Sequence, residues 1–416
     1  MDFRNKIISF LCVINVFAAQ RLGAEESPRF QFATQQIDSG LGVGYAVVAT
    51  DLDGDRRPDL VVADKTRILW YRNPDWKRQV LLEGQTKPDN VCLAAHDIDG
   101  DGDIDLALGA DWKPFNTQTG GTLQWLENPG KGSGAWAVHP ISEEPTLHRI
   151  RFLDLQGDGK PELIVVPLMG KGASQKENWS DGVPLRILAF SIPKRPKTDR
   201  WDPMVLDQSL HVAHNFCPVP VGGSSKGINL AIGSYEGISL LKAETALDRQ
   251  GLKFSRQLLH PAHQENPKGS RGVSEIRWGL LGADSPCFGT IEPWHGNQVV
   301  AYTQNPDQSW NRNVLDDRLK WGHAVHWADL NGDGKDELVV GVRDNLGDQP
   351  DDRCGVRIYC SDGPAGRRWT RTLLDSGGVA VEDALVADLD GNGKPDIVAV
   401  GRATGNVRIY WQDKRP

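Results

Sequence analysis

Cysteine is scarce, with six residues in 416. Cys354 and Cys360 fall on one apparent strand, where extended chain holds them roughly 20 Å apart, beyond disulfide reach, so no disulfide framework is expected. Positive charge is in deficit too: 47 Lys and Arg stand against 55 Asp and Glu, a net charge of −8. That balance argues against a nucleic-acid partner, whose affinity rests on phosphate neutralisation. Beyond the N-terminus no apolar run approaches the roughly 18 residues of a membrane span, so no membrane span is expected. Apolar material is nevertheless ample, at 39% hydrophobic and 25% charged residues, which fits a packed core and excludes general disorder. The acidity gathers in short Asp clusters, a pattern that points to cations.

At the N-terminus, Arg4 and Lys6 precede the apolar run 7–19 and small residues follow, the layout of a secretory leader over residues 1–24 with cleavage near Ala24. Leu11 before Cys12 is not the small residue that lipid attachment at that cysteine requires. The expected location is secreted or periplasmic, and the expected state a monomer.

Five segments repeat one pattern: DLDGDRRPDLVVA from Asp51, DIDGDGDIDLALG from Asp97, DLQGDGKPELIVV from Asp154, DLNGDGKDELVVG from Asp329 and DLDGNGKPDIVAV from Asp388. They start 46, 57, 175 and 59 residues apart, and 175 is about three of the shorter intervals, so two worn copies belong in the gap. INLAIGSYEGISLL from Ile228 and CFGTIEPWHGNQVVAY from Cys287 fill it, keeping the strands and losing the carboxylates. Each unit reads as four short strands. The fold expected over residues 25–416 is all-β, a single seven-bladed β-propeller. Its last unit, VRIYWQDKRP, lacks an outer strand, and FQFATQQI from Phe30 is an unpaired candidate. The N-terminal strand should therefore close the ring and remove its unpaired edges.

Within the Asp loops, oxygens at positions 1, 3, 5 and 9 with a carbonyl near 7 supply the hard shell that calcium prefers. The expected structural Ca²⁺ ligands are Asp51, Asp53, Asp55 and Asp59; Asp97, Asp99, Asp101 and Asp105; Asp154, Gln156, Asp158 and Glu162; Asp329, Asn331, Asp333 and Glu337; and Asp388, Asp390, Asn392 and Asp396. The neutral Gln156 should weaken the third site. With these loops and their Trp-containing outer hairpins, nearly the whole mature chain resembles the FG-GAP or VCBS repeat family, which implies a calcium-binding propeller. Propellers of that family serve in adhesion, in lyases and as accessory domains, so the fold leaves the activity open.

Antiparallel strands place the longer loops on the face opposite the Asp loops: DWKPFNTQTG from Asp111, GKGASQKENWSDG from Gly170, EPWHG from Glu292 and RDNLGDQPDDR from Arg343. Most tryptophans occupy repeat positions of outer strands, whereas Trp112, Trp179 and Trp294 lie in these loops, where an indole can stack on a sugar ring. Six residues before each loop's first ligand, the inner strands place His148, His323 and Glu382 at this mouth, with His214 in blade four and Glu275 in blade five. Such a ring suits a Zn²⁺-type divalent ion in the channel or acid–base catalysis near neutral pH. The candidate catalytic residues are His148, His214, His323 and Glu382. The candidate substrate contacts are Trp112, Trp179, Glu292, Trp294, His295, Arg151 and Arg271.

IEPWHGNQVVAYT, LHRIRFLDLQGDGKPELIVV and GHAVHWADLNGDGKDELVVG resemble the propeller part of aldos-2-ulose dehydratase proteins. The resemblance implies elimination of water from 1,5-anhydro-D-fructose and related ketosugars, without the isomerase step of the cupin domains those proteins add. The expected partner is a carbohydrate or small sugar ligand, bound at the channel mouth by a dehydratase or lyase. The alternative is a non-catalytic glycan- or protein-binding propeller, which would need the stacking tryptophans and not the histidine and glutamate ring.

Overall fold

The second strand of each Asp-loop unit is apolar on both faces, and both faces are covered. Asp59–Ala63, Asp105–Ala110, Glu162–Pro167, Glu337–Val342 and Asp396–Gly401 are buried along their whole length. A strand gains from such a sequence only when packed between two other sheets, which adjacent propeller blades provide. The computed structural model describes residues 30–130, 134–222, 227–244, 253–263, 270–283, 285–362, 366 and 368–413. The stretch read as a leader, 1–24, lies outside the described residues.

Seven four-stranded antiparallel sheets form the blades. Their inner strands are Ala46–Thr50, Cys92–His96, Leu147–Leu153, Ala213–Pro220, Ile276–Leu280, Gly322–Ala328 and Val381–Ala387, each beside the next and the seventh beside the first. The ring closes through Phe32–Asp38, the outer strand of blade seven, which pairs antiparallel with Val407–Gln412. The Nε1–H of Trp411 donates to Gln35 Oε1 at 2.8 Å, and the hydroxyl of Tyr71 in blade one donates to Asp38 Oδ2 at 2.7 Å. The N-terminal strand thus completes blade seven and ties it to blade one.

The core consists of apolar layers between blades. Trp76 of blade one packs on Trp411 of blade seven with ring centroids 5.7 Å apart, and Trp125 is fully buried among blades one to three. Two second-strand glycines set how closely inner strands approach. A Cβ on Gly109 would lie 2.2 Å from Leu147 Cδ2, and one on Gly341 would lie 2.4 Å from Val381 Cγ1. Leu147 and Val381 immediately precede His148 and Glu382, so these glycines let the next blade's inner strand enter at the channel mouth. Among the described residues no helix is long and apolar enough to cross a membrane, and the described cysteines are buried.

Candidate functional site

Four inner strands enter their blades through a β-bulge. The pairing of first and second strands shifts register between Leu147 and Arg149, Ala213 and Asn215, Gly322 and Ala324, and Val381 and Asp383. The extra residues are His148, His214, His323 and Glu382. Blades one, two and five pair without such a shift. A bulge re-aims a side chain that regular alternation would send elsewhere. It also lets the next residue serve the channel, as Arg149, Asn215 and Asp383 do here.

The bulged residues meet on the axis. His214 has ring centroids 4.4 Å from His148, 4.3 Å from His295 and 5.0 Å from His323, and His295 lies 4.7 Å from His323. One nitrogen from each of His214, His295 and His323 lies within 4.8 Å of the other two. The Nε2 atoms of His214 and His295 are 2.6 Å apart. His323 Nδ1 stands 2.6 Å from the Glu382 carbonyl, and His148 Nδ1 stands 3.1 Å from the His214 carbonyl. These carbonyls can only accept, so each Nδ1 carries the proton and each Nε2 keeps its lone pair. His214 Nδ1 faces Glu275 Oε1 at 2.7 Å, out of line for a hydrogen bond.

Two carboxylates flank the rings. Glu275 accepts from Asn215 Nδ2 at 2.6 Å. Glu382 accepts from Arg402 Nη1 at 2.6 Å, with Arg343 Nη1 3.6 Å and His323 Nε2 3.9 Å from its other oxygen. Glu275 Oε1 and Glu382 Oε2 are buried without a hydrogen bond. Burial is the main force that holds the imidazoles neutral: it drives His148, His214 and His295 well below the ordinary histidine range. Burial and then Arg343 bring His323 down to about 3.

Neutral imidazoles, oxygens behind the Nδ1 atoms of His214 and His323 and orphaned carboxylate oxygens are the donor set of a zinc-type site. Ligands of a tetrahedral ion sit roughly 3.3 Å apart, so the 2.6 Å His214–His295 pair would open by roughly 0.7 Å to share one. His295, which sequence offsets place at the rim, belongs to this cluster.

The remaining candidates separate. Trp112 packs on His148 at 5.0 Å, and Trp294 stacks on His295 at 5.0 Å. Trp179, Trp294 and Arg271 line a small cleft of about 20 Å³ with Tyr235, whose hydroxyl accepts from Arg271 Nη1 at 3.1 Å. Trp179, Trp294 and Trp321 all adopt left-handed backbone, φ 65°, 53° and 52°, conformations that bulky residues keep only where surroundings enforce them.

Glu292 turns away from the mouth. It is fully buried and accepts from Thr290 Oγ1, the Tyr302 hydroxyl, Arg312 Nε and Nη2 and the His263 amide, which uses its lone pairs. Arg151 is not at the mouth either. It lies three residues beyond His148, stacks on Phe216 at 4.6 Å and lines the channel below the histidine layer. Sequence reasoning passed over Asn215, His326, Arg343 and Arg402. The loop motif gives the height of an inner strand, but a bulge, which decides what faces inward, leaves no mark in it.

On the opposite face the loops form two kinds. In all five, the first Asp accepts backbone N–H groups from the turn it begins. Blades one, two and seven carry Asp at the third and ninth positions, and Asp51, Asp53 and Asp59, Asp97, Asp99 and Asp101, and Asp388, Asp390 and Asp396 each bring three carboxylate oxygens within 4.8 Å of one another. In blades three and six the third residue is an amide that donates to the ninth: Gln156 Nε2 to Glu162 Oε1 at 3.3 Å, and Asn331 Nδ2 to Glu337 Oε1 at 2.9 Å. No such carboxylate group forms there among the described residues.

Fold and loops together define the class: the chain is a seven-bladed β-propeller in which residues 51–108 match an FG-GAP-like repeat and residues 321–349 an FG-GAP repeat. More narrowly, residues 120–305, which contain His148, His214, Glu275 and His295, match the β-propeller domain of aldos-2-ulose dehydratase. The aldos-2-ulose dehydratase of Phanerodontia chrysosporium is 23% identical over 321 residues, 71% of this chain and 33% of that protein. The chain thus spans about a third of that relative's length. Chains in two crystal structures of BBS1N in complex with ARL6DN, soaked with mercury and with lead, share the fold at TM-scores of 0.53 and 0.54, with 11% and 12% identity, covering 93% of this chain and 98% of theirs.

Proposed function

We propose that the chain is an extracytoplasmic, monomeric propeller that eliminates water from a ketosugar at the histidine layer, with His214, His295 and His323 holding a divalent ion. The observation that carries this reading is the convergence of three imidazole nitrogens within 4.8 Å, two of them, from His214 and His295, inside the segment that matches the dehydratase propeller. A bound ion would supply Lewis acidity toward the sugar's carbonyl oxygen. Glu275 Oε1, 2.7 Å from His214 Nδ1, would orient that ring once a small rotation aligned the hydrogen bond.

Elimination needs a base for the proton on the carbon beside the carbonyl and a proton for the departing hydroxyl, which leaves as water while the carbon–carbon double bond forms. His148 and His323, the first candidates, suit the base poorly, because burial holds both imidazoles well below the ordinary range. Glu382 takes the role: its Oε2 is buried with no hydrogen bond. His148 then positions His214 through the latter's carbonyl, and half-buried His295 with Trp294 and Trp112 forms the approach for the sugar. The loops of blades one, two and seven hold Ca²⁺ as structural pins.

The test is incubation with a panel of ketosugars in the presence of Zn²⁺, Mn²⁺ or Mg²⁺, watching for the ultraviolet absorbance of an unsaturated ketone. Product formation lost in His295→Ala and Glu382→Gln supports the reading. Absence of product with every metal and ketosugar overturns it. The Trp179–Tyr235–Trp294–Arg271 cleft favours a second reading, glycan binding without chemistry, in which Trp179→Ala abolishes retention on polysaccharide and His295→Ala does not.

A further inference from the structure

Below the histidine layer the channel widens into a cavity of about 460 Å³, walled by inner-strand residues 46–49, 92–95, 149–153 and 383–387. This is the size of pocket that encloses a small ligand. The strands end in the Asp loops, so the cavity faces the side opposite the tryptophans. Most of its wall is small or apolar, and its charged groups are Arg149, Arg151, Arg277 and Asp383, with His326 beside them.

The guanidinium groups are under-compensated. Arg149 is buried: its Nη1 donates to the His148 carbonyl at 3.4 Å, its Nη2 makes no hydrogen bond, and Glu275 Oε1 stands 3.8 Å away. Arg151 donates to Asn215 Oδ1 at 3.0 Å and leaves Nη1 buried without a partner. Arg277 Nη1 donates to the Ile276 carbonyl at 2.9 Å. Asp383 accepts from the Val47 amide at 3.1 Å, and burial raises its pKa, which weakens it as a counter-ion. Burial, then Arg277 and Arg149, lower the pKa of Arg151 to about 9, and burial with Arg277 and Arg151 keeps His326 neutral at about 3. Leaving buried cationic donors unpaired is costly, and an oxyanion removes that cost by charge-assisted hydrogen bonds.

We propose that this cavity is a second binding site, for a small ligand whose carboxylate or phosphate group is held by Arg149, Arg151 and Arg277. It lies on the other side of the histidine layer and stands independently of the dehydratase reading. Arginine suits the role because its planar fork matches both oxyanions.

Calorimetric titration of the full chain with inorganic phosphate, with D-glucuronate and with neutral glucose tests it. The expected result is one saturable site per chain for phosphate, for glucuronate or for both, tighter at low salt, with no binding of glucose. Binding of phosphate alone assigns a phosphorylated or inorganic ligand, and binding of glucuronate alone assigns a sugar acid. Arg151→Gln and Arg277→Gln should each weaken that binding at least tenfold, and His295→Ala should leave it within twofold, which separates this site from an anion on a histidine-bound metal. If Arg151→Gln fails to fold, the half-buried Arg277→Gln decides alone. No saturable binding of either anion, unchanged affinity in the arginine variants, or loss confined to His295→Ala overturns the proposal.

Discussion

At the end of the propeller where Asp51, Asp97 and Asp388 turn the chain, each cluster is built from residues within one short loop, three carboxylates drawn together by consecutive backbone amides. At the opposite end, His214, His295, His323 and Glu382 come from four different blades, and four bulges aim the inner-strand residues inward. The first kind of site is local and repeats with the motif. The second belongs to the closed ring, so it exists only when every blade is in place, and it is free to diverge from blade to blade.

The sharpest way to break this contrast is to open the ring. Removing residues 30–38 deletes the partner of Val407–Gln412 and the bonds to Trp411 and Tyr71. The melting temperature should fall by roughly 10 °C or more, or the protein should aggregate through the exposed edge. An equally stable, soluble truncation would show that closure is dispensable.

Glu292→Ala should be the most damaging single change near the mouth, by about 3–5 kcal/mol, since it removes a fully buried carboxylate and leaves half-buried Arg312 without its charge partner. Loss of sugar binding at full stability would instead return Glu292 to the substrate.

The loops sharpen the comparison from the other side. Chelation should lower stability by about 2.7 kcal/mol per occupied site at roughly a hundredfold excess of calcium over Kd, and calorimetry should count three calcium ions, one for each carboxylate cluster. Asp97→Ala should cost more of this stabilisation than Gln156→Ala. Five ions, or equal effects of the two substitutions, would erase the distinction between loop types.

The smallest effect is electrostatic. His326 has a folded-state pKa of about 3, depressed chiefly by burial, so its contribution to stability is complete above the unfolded value near 6.5 and drains away as pH falls toward 3. The slope from this group is at most about 1.4 kcal/mol per pH unit, and His326→Gln should flatten the fall of the urea midpoint between pH 6.5 and 4.5. An identical slope would show that another group governs acid lability.

The blade count, the ring closure and the loop positions were legible because a repeat makes each residue's height readable from its distance to the next loop. His148, His214, His323 and Glu382 sit at one height for that reason. Facing is a different matter. His326 and Arg151 each follow a bulged residue by three, a spacing that regular alternation sends to the opposite side, and pairing geometry alone reveals that both line the channel. Glu292 looked like a mouth residue because its neighbours Trp294 and His295 are, yet it ends a buried strand and turns toward Tyr302 and Arg312. The split between the loops of blades three and six and the other three shows in two letters, Gln156 or Asn331 at the third position and Glu162 or Glu337 at the ninth in place of Asp, and its consequence, an internal amide–carboxylate bond, required coordinates.

If the histidine layer is a metal site assembled by the ring, elemental analysis of purified protein will detect its ion. After dialysis against a mixture of Ca²⁺, Zn²⁺ and Mn²⁺, wild-type protein should retain one transition-metal ion per chain in addition to calcium, and His214→Ala and His323→Ala should lose that ion while keeping their calcium and their circular dichroism. A wild-type protein without a stoichiometric transition metal, or histidine variants that retain it, would show that the histidine layer holds no ion.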